Sequence, residues 1–199
     1  RGHQALIAEA RRAGDRIGAP AGVITFEPHP RRFFQPDAPP FRLTLAPEKA
    51  RVLGAHGIER IHQLAFDRAL ASMTAEDFVT GVLARGLGIR HLVIGEDFRF
   101  GKGRSGDARL LRNMSEALGF GVSIQHILKG SGGEYSSTAV RVHVEQGHCD
   151  EAAAQLGRWH SVCGAVQQGD RRGRVLGFPT ANLDFGEQVS RKIEVIRTE

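Results

Sequence analysis

The sequence predicts an α/β protein with a mostly parallel sheet covered on both faces, and three observations carry that expectation. Apolar runs at residues 22–26, 59–65, 91–95 and 121–127 alternate with amphipathic stretches through the first 150 residues. Two of the intervening stretches carry helix start signals: Pro47 at a first helical position, and Thr74-Ala-Glu-Asp77 as a cap ahead of Phe78, Val82 and Leu83. A third carries a stop signal, since Leu110, Leu111, Met114 and Leu118 recur at helical spacing and end at Gly119.

In chain order, Gly2-His3-Gln4 precedes Ala5-Leu-Ile-Ala8, the apolar opening of a helix. The run 22–26 is the first strand, and Pro28 and Pro30 force the chain after it into an extended loop at the sheet's carboxyl edge. Crossover helices span Pro47–His56 and the residues after Thr74, and a core-packing helix spans Asp107–Leu118. Ser136-Ser137-Thr138 opens a further helix through Val140, Val142 and Val144, and Ala152–Leu156 is helix-like. The pattern then changes to Gly157, Trp159 and the alternating Val162, Gly164, Val166. We therefore expect a first domain over 1–158 and a second part over 159–199, whose 41 residues are too few to bury a core alone.

Composition narrows the function classes. Hydrophobic residues make up 41% and charged residues 25% of the 199, as in ordinary globular chains rather than disordered ones. Two cysteines give no disulfide framework and no four-ligand zinc site, which suits a reducing cytosol. No run approaches a membrane span and no leader pattern argues for secretion, so a cytoplasmic protein is expected. The net charge of +5 favours anionic partners. Its arginines are scattered in pairs with no aromatic stripe beside them, which argues for phosphorylated small molecules and against nucleic acid.

Several segments carry chemistry in their residue types. Gly173-Arg-Val-Leu-Gly-Phe-Pro-Thr-Ala-Asn-Leu183 places the Thr180 hydroxyl and Asn182 amide around a turn stiffened by Pro179, a set able to hold phosphate or Mg²⁺ or simply to form a Gly/Pro surface turn. His3 stands at a helix N-terminus, where a triphosphate is favoured, or is merely an exposed histidine. His29 is either aimed at the crevice beyond the first strand or held in a stiff surface turn. Gly95-Glu-Asp-Phe-Arg-Phe-Gly101 ends another strand, with Asp97 and Arg99 available to orient a ligand and pair with phosphate. The hydroxyls of Ser137 and Thr138 either cap their helix or bind phosphate oxygens, with Arg141 one turn further on. Gly101-Lys-Gly103-Arg-Ser-Gly106 matches G-x-G-x-x-G in letters only: it starts six residues past the strand, and Gln125-His126 stand where a dinucleotide fold needs an acid. We read it as a mobile basic loop over an anionic substrate.

Gly164-Ala-Val with Gly169–Leu183 resembles the opening of a riboflavin kinase domain, which in bacteria commonly follows an adenylyltransferase. Upstream, Gly2-His3-Gln4, Thr25-Phe-Glu-Pro-His-Pro30, Gly95–Gly101 and Ser136-Ser-Thr-Ala-Val-Arg141 resemble, in order, the motifs of the bifunctional riboflavin kinase/FMN adenylyltransferases, or FAD synthetases. The resemblance runs from residue 1 to about residue 185. It implies a Rossmann-like nucleotidyltransferase domain, here without the first strand that ends in Gly-x-Phe-Asp-Gly, followed by the start of a riboflavin kinase β-barrel. It implies transfer of AMP from ATP to FMN, giving FAD and pyrophosphate, and in the full enzyme phosphorylation of riboflavin to FMN.

By that resemblance His3 and Arg141 are catalytic, and His3, Ser137, Thr138 and Arg141 bind ATP phosphates. His29, Asp97, Phe98 and Arg99 line the flavin side, where Phe33 or Phe34 packs on the isoalloxazine or on the core. Thr180 and Asn182 hold Mg·ATP for the kinase step, with Thr180 on Mg²⁺. The alternatives are a flavin- or nucleotide-binding fragment without turnover, or another nucleotidyltransferase such as a pantetheine-phosphate adenylyltransferase, which has no use for the segment 164–183.

Overall fold

The four apolar runs become four strands, all paired in parallel but only two by two. In the computed structural model, which describes residues 1–126, 129–130, 133–168, 177, 182–184 and 186–189, the chain starts with α1 (Gly2–Ile17), β1 (Gly22–Glu27), α2 (Pro30–Phe34) and α3 (Ala46–Ala55). Next come β2 (Arg60–Ala65), α4 (Arg68–Ser72), α5 (Ala75–Asp77) with its π-helical continuation Phe78–Gly86, and β3 (His91–Gly95). α6 (Ala108–Leu118), β4 (Gly121–Gln125) and the short antiparallel pair β5 (Lys129–Gly130) and β6 (Gly133–Glu134) follow. The strand β1 runs parallel to β2 in the register Gly22↔Arg60 to Glu27↔Ala65, and β3 to β4 in the register His91↔Gly121 to Gly95↔Gln125. The α/β class and the parallel pairing are as the sequence predicts.

These elements, α3 only from Ala50 on, form the first of two compact units, Arg1–Asp37 with Ala50–Tyr135. Its core gathers Ala75, Phe78, Val79, Leu83, Ile94, Phe100, Leu111 and Phe120. The side chains of Leu83, Leu111 and Val79 are fully buried, and each such burial contributes about 1.5–3 kcal/mol. Helix α6 turns Leu110, Leu111, Met114 and Leu118 to this core, starts on Asp107, whose Oδ1 accepts the Leu110 N–H at 2.9 Å, and stops at Gly119 in the left-handed conformation. Thr74 caps α5 as expected, its hydroxyl oxygen accepting the Asp77 N–H at 3.0 Å. The π-helix after it is not visible in the sequence. Over nine residues the apolar spacing does not separate 3.6 from wider turns, and Gly86 admits the Gly81 carbonyl to 3.0 Å from where a Cβ would stand.

The second unit joins Ala38–Lys49 to Ser136–Glu199. It holds α7 (Ser137–Gln146), α8 (Cys149–Leu156) and an antiparallel pair, β7 (Ala165–Gln167) with β8 (Asn182–Asp184), in the register Val166↔Leu183. Phe41, Val140, Val144, Ala152 and Val189 form its core. Packing thus groups α7 and α8, which precede the change of pattern near residue 158, with segments that follow it.

Candidate active site at the carboxyl ends of the parallel strands

His3 lies in the first turn of α1, a helix packed against β3 and β4. The N-cap residue Arg1 makes no side-chain cap bond, and no acidic residue stands in the first turn. The N–H groups of that turn have no intrahelical acceptor, so the helix end combines donors with the positive end of its dipole. The His3 ring keeps exposed surface, yet its pKa is held below the ordinary 6.5 because surrounding protein strips its hydration, with the Arg1 α-amino charge adding and the Asp97 carboxylate opposing. At neutral pH it is an uncharged N–H donor. The opposing pull of Asp97 also brings together two residues that lie 94 positions apart in the sequence.

Asp97 sits in a turn just beyond β3, closed by the Phe98 N–H donating to the Gly95 carbonyl at 3.1 Å. Its carboxylate folds back over Gly95, and a Cβ there would stand 2.9 Å from Oδ1. The turn is tied to the end of β4: the Glu96 N–H donates to the Gln125 carbonyl at 3.1 Å, and the Glu96 carboxylate accepts from His126 Nδ1 at 2.7 Å. Because a carboxylate only accepts, that nitrogen carries the proton. Gly95 as the seat of Asp97, and the Glu96–His126 pair, escaped the sequence reading. Strands predicted at 91–95 and 121–127 contained the signal, since parallel pairing brings their carboxyl ends together.

One consequence is measurable by titration. Asp97→Asn removes the carboxylate charge that raises the His3 pKa, so the imidazole is expected to titrate lower still when followed by NMR; an unchanged midpoint would separate the two residues. The lowered His3 pKa also makes stability depend on pH. His3's contribution is present above 6.5, the ordinary value, and is lost as pH falls from there toward the lower folded-state value.

His29 is the N-cap of α2, and its Nδ1 accepts the Arg31 N–H at 3.1 Å. Beside it Phe33, Phe34 and Phe66 meet edge to face, with centroids 5.1–5.8 Å apart, and Phe34 is 64% exposed. Phe98 stacks on Phe100 at 5.5 Å and leans on the core. Arg99 pairs with Asp107 Oδ2 at 3.2 Å. Asp107 therefore caps α6 with one oxygen and holds Arg99 with the other; its pKa is lowered first by the Leu110 N–H and further by Arg99.

The glycine-rich segment is fastened at several points. Phe100 and Gly106 exchange backbone bonds of 3.2 and 2.9 Å, and the Lys102 N–H donates to the Met73 carbonyl at 2.8 Å. Gly101 has φ +72° and lies so close to Ala75 that a Cβ would meet its backbone at 2.7 Å, while a Cβ on Gly106 would strike Phe100. Packing explains these glycines, in agreement with setting aside the dinucleotide motif. The expectation of a mobile loop meets a segment pinned to the start of α5.

Ser137, Thr138 and Arg141 belong to the second unit, on α7. Capping there is the work of Ser136, whose hydroxyl oxygen accepts the Ala139 N–H at 3.1 Å; Ser137 is half-buried and Thr138 exposed. Arg141 Nε donates to the Phe41 carbonyl at 2.6 Å, with the guanidinium 5.9 Å from the Phe41 ring centroid. Asn182 opens β8 with an exposed side chain opposite Gln167. Thr180 lies outside the described residues. Among the described residues no group of three His, Cys, Asp or Glu is arranged to hold a metal. The Asn182 amide oxygen is a hard donor of the kind Mg²⁺ accepts, and Mg²⁺ is usually bound through few protein oxygens plus phosphates.

The family model described as FAD synthetase matches residues 1–139. The chain belongs to the FAD synthetase family. A second model, riboflavin kinase, matches residues 156–195, so the likeness continues past the point near 185 where the motifs end. Among relatives of this FAD synthetase-family chain, a bifunctional riboflavin kinase/FMN adenylyltransferase of Pseudomonas fluorescens is 40% identical over 185 residues, covering 93% of this chain and 59% of the relative. The protein of the same description from Escherichia coli K12 is 38% identical over 190 residues, covering 96% and 61%. A crystal structure described as a macrolide-efflux protein from Streptococcus pneumoniae superposes with TM-score 0.81 at 30% identity, over 95% of this chain and 62% of that one. No helix among the described residues is long and apolar enough to cross a membrane. The chain spans about three fifths of the length of the curated relatives it matches.

Proposed function

We propose that this chain carries the adenylyl-transfer step of FAD synthesis, with FMN and Mg·ATP as substrates and FAD and pyrophosphate as products. The observation that carries the reading is the uncapped N-terminus of α1, with the neutral His3 imidazole electrostatically coupled to Asp97 at the carboxyl end of β3. Open parallel sheets bind ligands at that end of their strands.

An FMN phosphate oxygen attacks the α-phosphorus of ATP, a P–O bond forms, and the bond to the departing pyrophosphate breaks. The attacking phosphate is already ionised, so the protein's task is positioning and charge stabilisation. First-turn N–H groups of α1 and the His3 N–H donate to phosphate oxygens as charge builds on them. In the second unit Arg141 carries a fixed positive charge for phosphate, with Ser137 and Thr138 as hydroxyl donors. Asp97 accepts from the flavin substrate, and His29, Phe98 and Arg99 complete the flavin side. Mg²⁺ arrives with ATP and neutralises part of its charge.

In the longer protein the segment 159–199 opens a riboflavin kinase barrel, of which β7 and β8 are the first antiparallel strands, and Thr180 and Asn182 hold Mg·ATP while riboflavin is phosphorylated to FMN. The first domain in this reading spans 1–158. A cytoplasmic setting belongs to the same proposal and fits two cysteines without a disulfide.

Incubation of the 199-residue chain with FMN, MgCl₂ and ATP tests it. FAD separated by chromatography, together with stoichiometric pyrophosphate, is the expected result. FMN binding with no FAD at any enzyme concentration would leave a binding module and overturn the reading.

A further inference from the structure

Gln188 is the least exposed polar residue among those described as buried, with 2% of its surface accessible. Its amide makes three bonds: Nε2 donates to the Leu43 carbonyl at 3.1 Å and the Ser161 carbonyl at 2.6 Å, and Oε1 accepts the Cys163 N–H at 3.1 Å. The backbone on either side of it grips Arg42. The Arg42 N–H donates to the Glu187 carbonyl at 3.0 Å, and the Val189 N–H donates to the Arg42 carbonyl at 2.8 Å, a one-residue parallel bridge. Val189 and Phe41 pack in one core with Val140 and Val144 of α7.

Phe41 is also the residue whose carbonyl receives Arg141 Nε at 2.6 Å. The peptide groups that follow this carbonyl, at Arg42 and Leu43, are thus held by Glu187, Gln188 and Val189. We propose that Gln188 is a positioning residue for Arg141: by fixing the segment 41–43 it fixes the acceptor that aims the guanidinium. Residues 186–189 lie in the riboflavin-kinase match and 41–43 in the FAD-synthetase match. The device therefore makes the aim of an adenylyl-transfer arginine depend on sequence from the kinase part of the chain. It rests on the proposed role of Arg141 in adenylyl transfer.

The alternative is that Gln188 is only a satisfied buried amide that stabilises its own unit. Gln188→Met preserves shape and removes the bonds. In ¹⁵N NMR spectra of the 199-residue chain, the Arg141 Nε–H signal is expected to shift toward that of a solvated arginine. The kcat for FAD formation is expected to fall about tenfold while KM for ATP changes less than about threefold. Val189→Ala, which loosens the same core but keeps the amide, is expected to leave both readings near wild type. An unmoved Arg141 signal in folded Gln188→Met, or an equal loss of kcat in Val189→Ala, overturns the proposal.

Should Gln188→Met fail to fold, hydrogen exchange on the unmodified chain decides. Arg141 Nε–H and the Arg42 and Val189 amides are expected to open together, with protection within about threefold of one another, and an Arg141 that opens more than about tenfold more readily overturns the coupling. Arg141→Ala keeps the two readings apart. An unchanged rate in that variant removes Arg141 from adenylyl transfer, while the NMR result on Gln188 stands or falls independently.

Discussion

Replacing His3 with alanine is expected to lower kcat for FAD formation by about a hundredfold or more, the loss typical when a donor aimed at developing charge is removed. The helix end would keep its backbone N–H groups, so ATP binding is expected to weaken much less than turnover. The distinction matters because the imidazole is neutral in the folded chain: desolvation, chiefly, holds its pKa down. A neutral donor adds little to ground-state attraction for a triphosphate and more once charge accumulates on the phosphate oxygen it faces. Steady-state kinetics on purified His3→Ala, with circular dichroism to check folding, measures this. A rate within about threefold of wild type would take His3 out of the chemistry.

Gly95→Ala is expected to reduce FAD formation by about tenfold to a hundredfold while the protein stays folded, because displacement of a catalytic constellation by about 1 Å is costly. The residue ends β3, and its Cβ would stand 2.9 Å from Asp97 Oδ1. What gives way is the tip of an exposed aspartate and not backbone, so the thermal midpoint is expected to change little. The carboxylate, however, loses its place over the strand end. His3 reports that movement, since an Asp97 pushed away ceases to raise its pKa. A Gly95→Ala variant with wild-type turnover and an unmoved His3 titration would show that Asp97 has no fixed task.

The elements were largely legible because their signals are local. Strands at 22–26, 59–65 and 91–95 appear as β1, β2 and β3 within one residue at either end, and Asp107 and Gly119 bracket α6 as a cap and a left-handed stop should. The site was legible only as a set of candidates. Nothing local says that Asp97 neighbours His3, that Arg99 is engaged by Asp107, or that a histidine thirty residues away steadies Glu96; these are products of strand register. The split into two units was also hidden. Residues 38–49 look like an ordinary loop and helix start, and their partnership with 187–189 depends on a buried glutamine amide whose three acceptors and donors are scattered over the chain.

Among the described residues, β1 is laddered only to β2 and β3 only to β4. Each ribbon therefore keeps two margins, one on each strand, where extended backbone has no ladder partner among the described residues. Such margins invite annealing by any extended segment of suitable apolar character. Among the described residues no backbone ladder joins the two ribbons, so an extended segment pairing along one of these margins would widen a two-stranded ribbon to three strands.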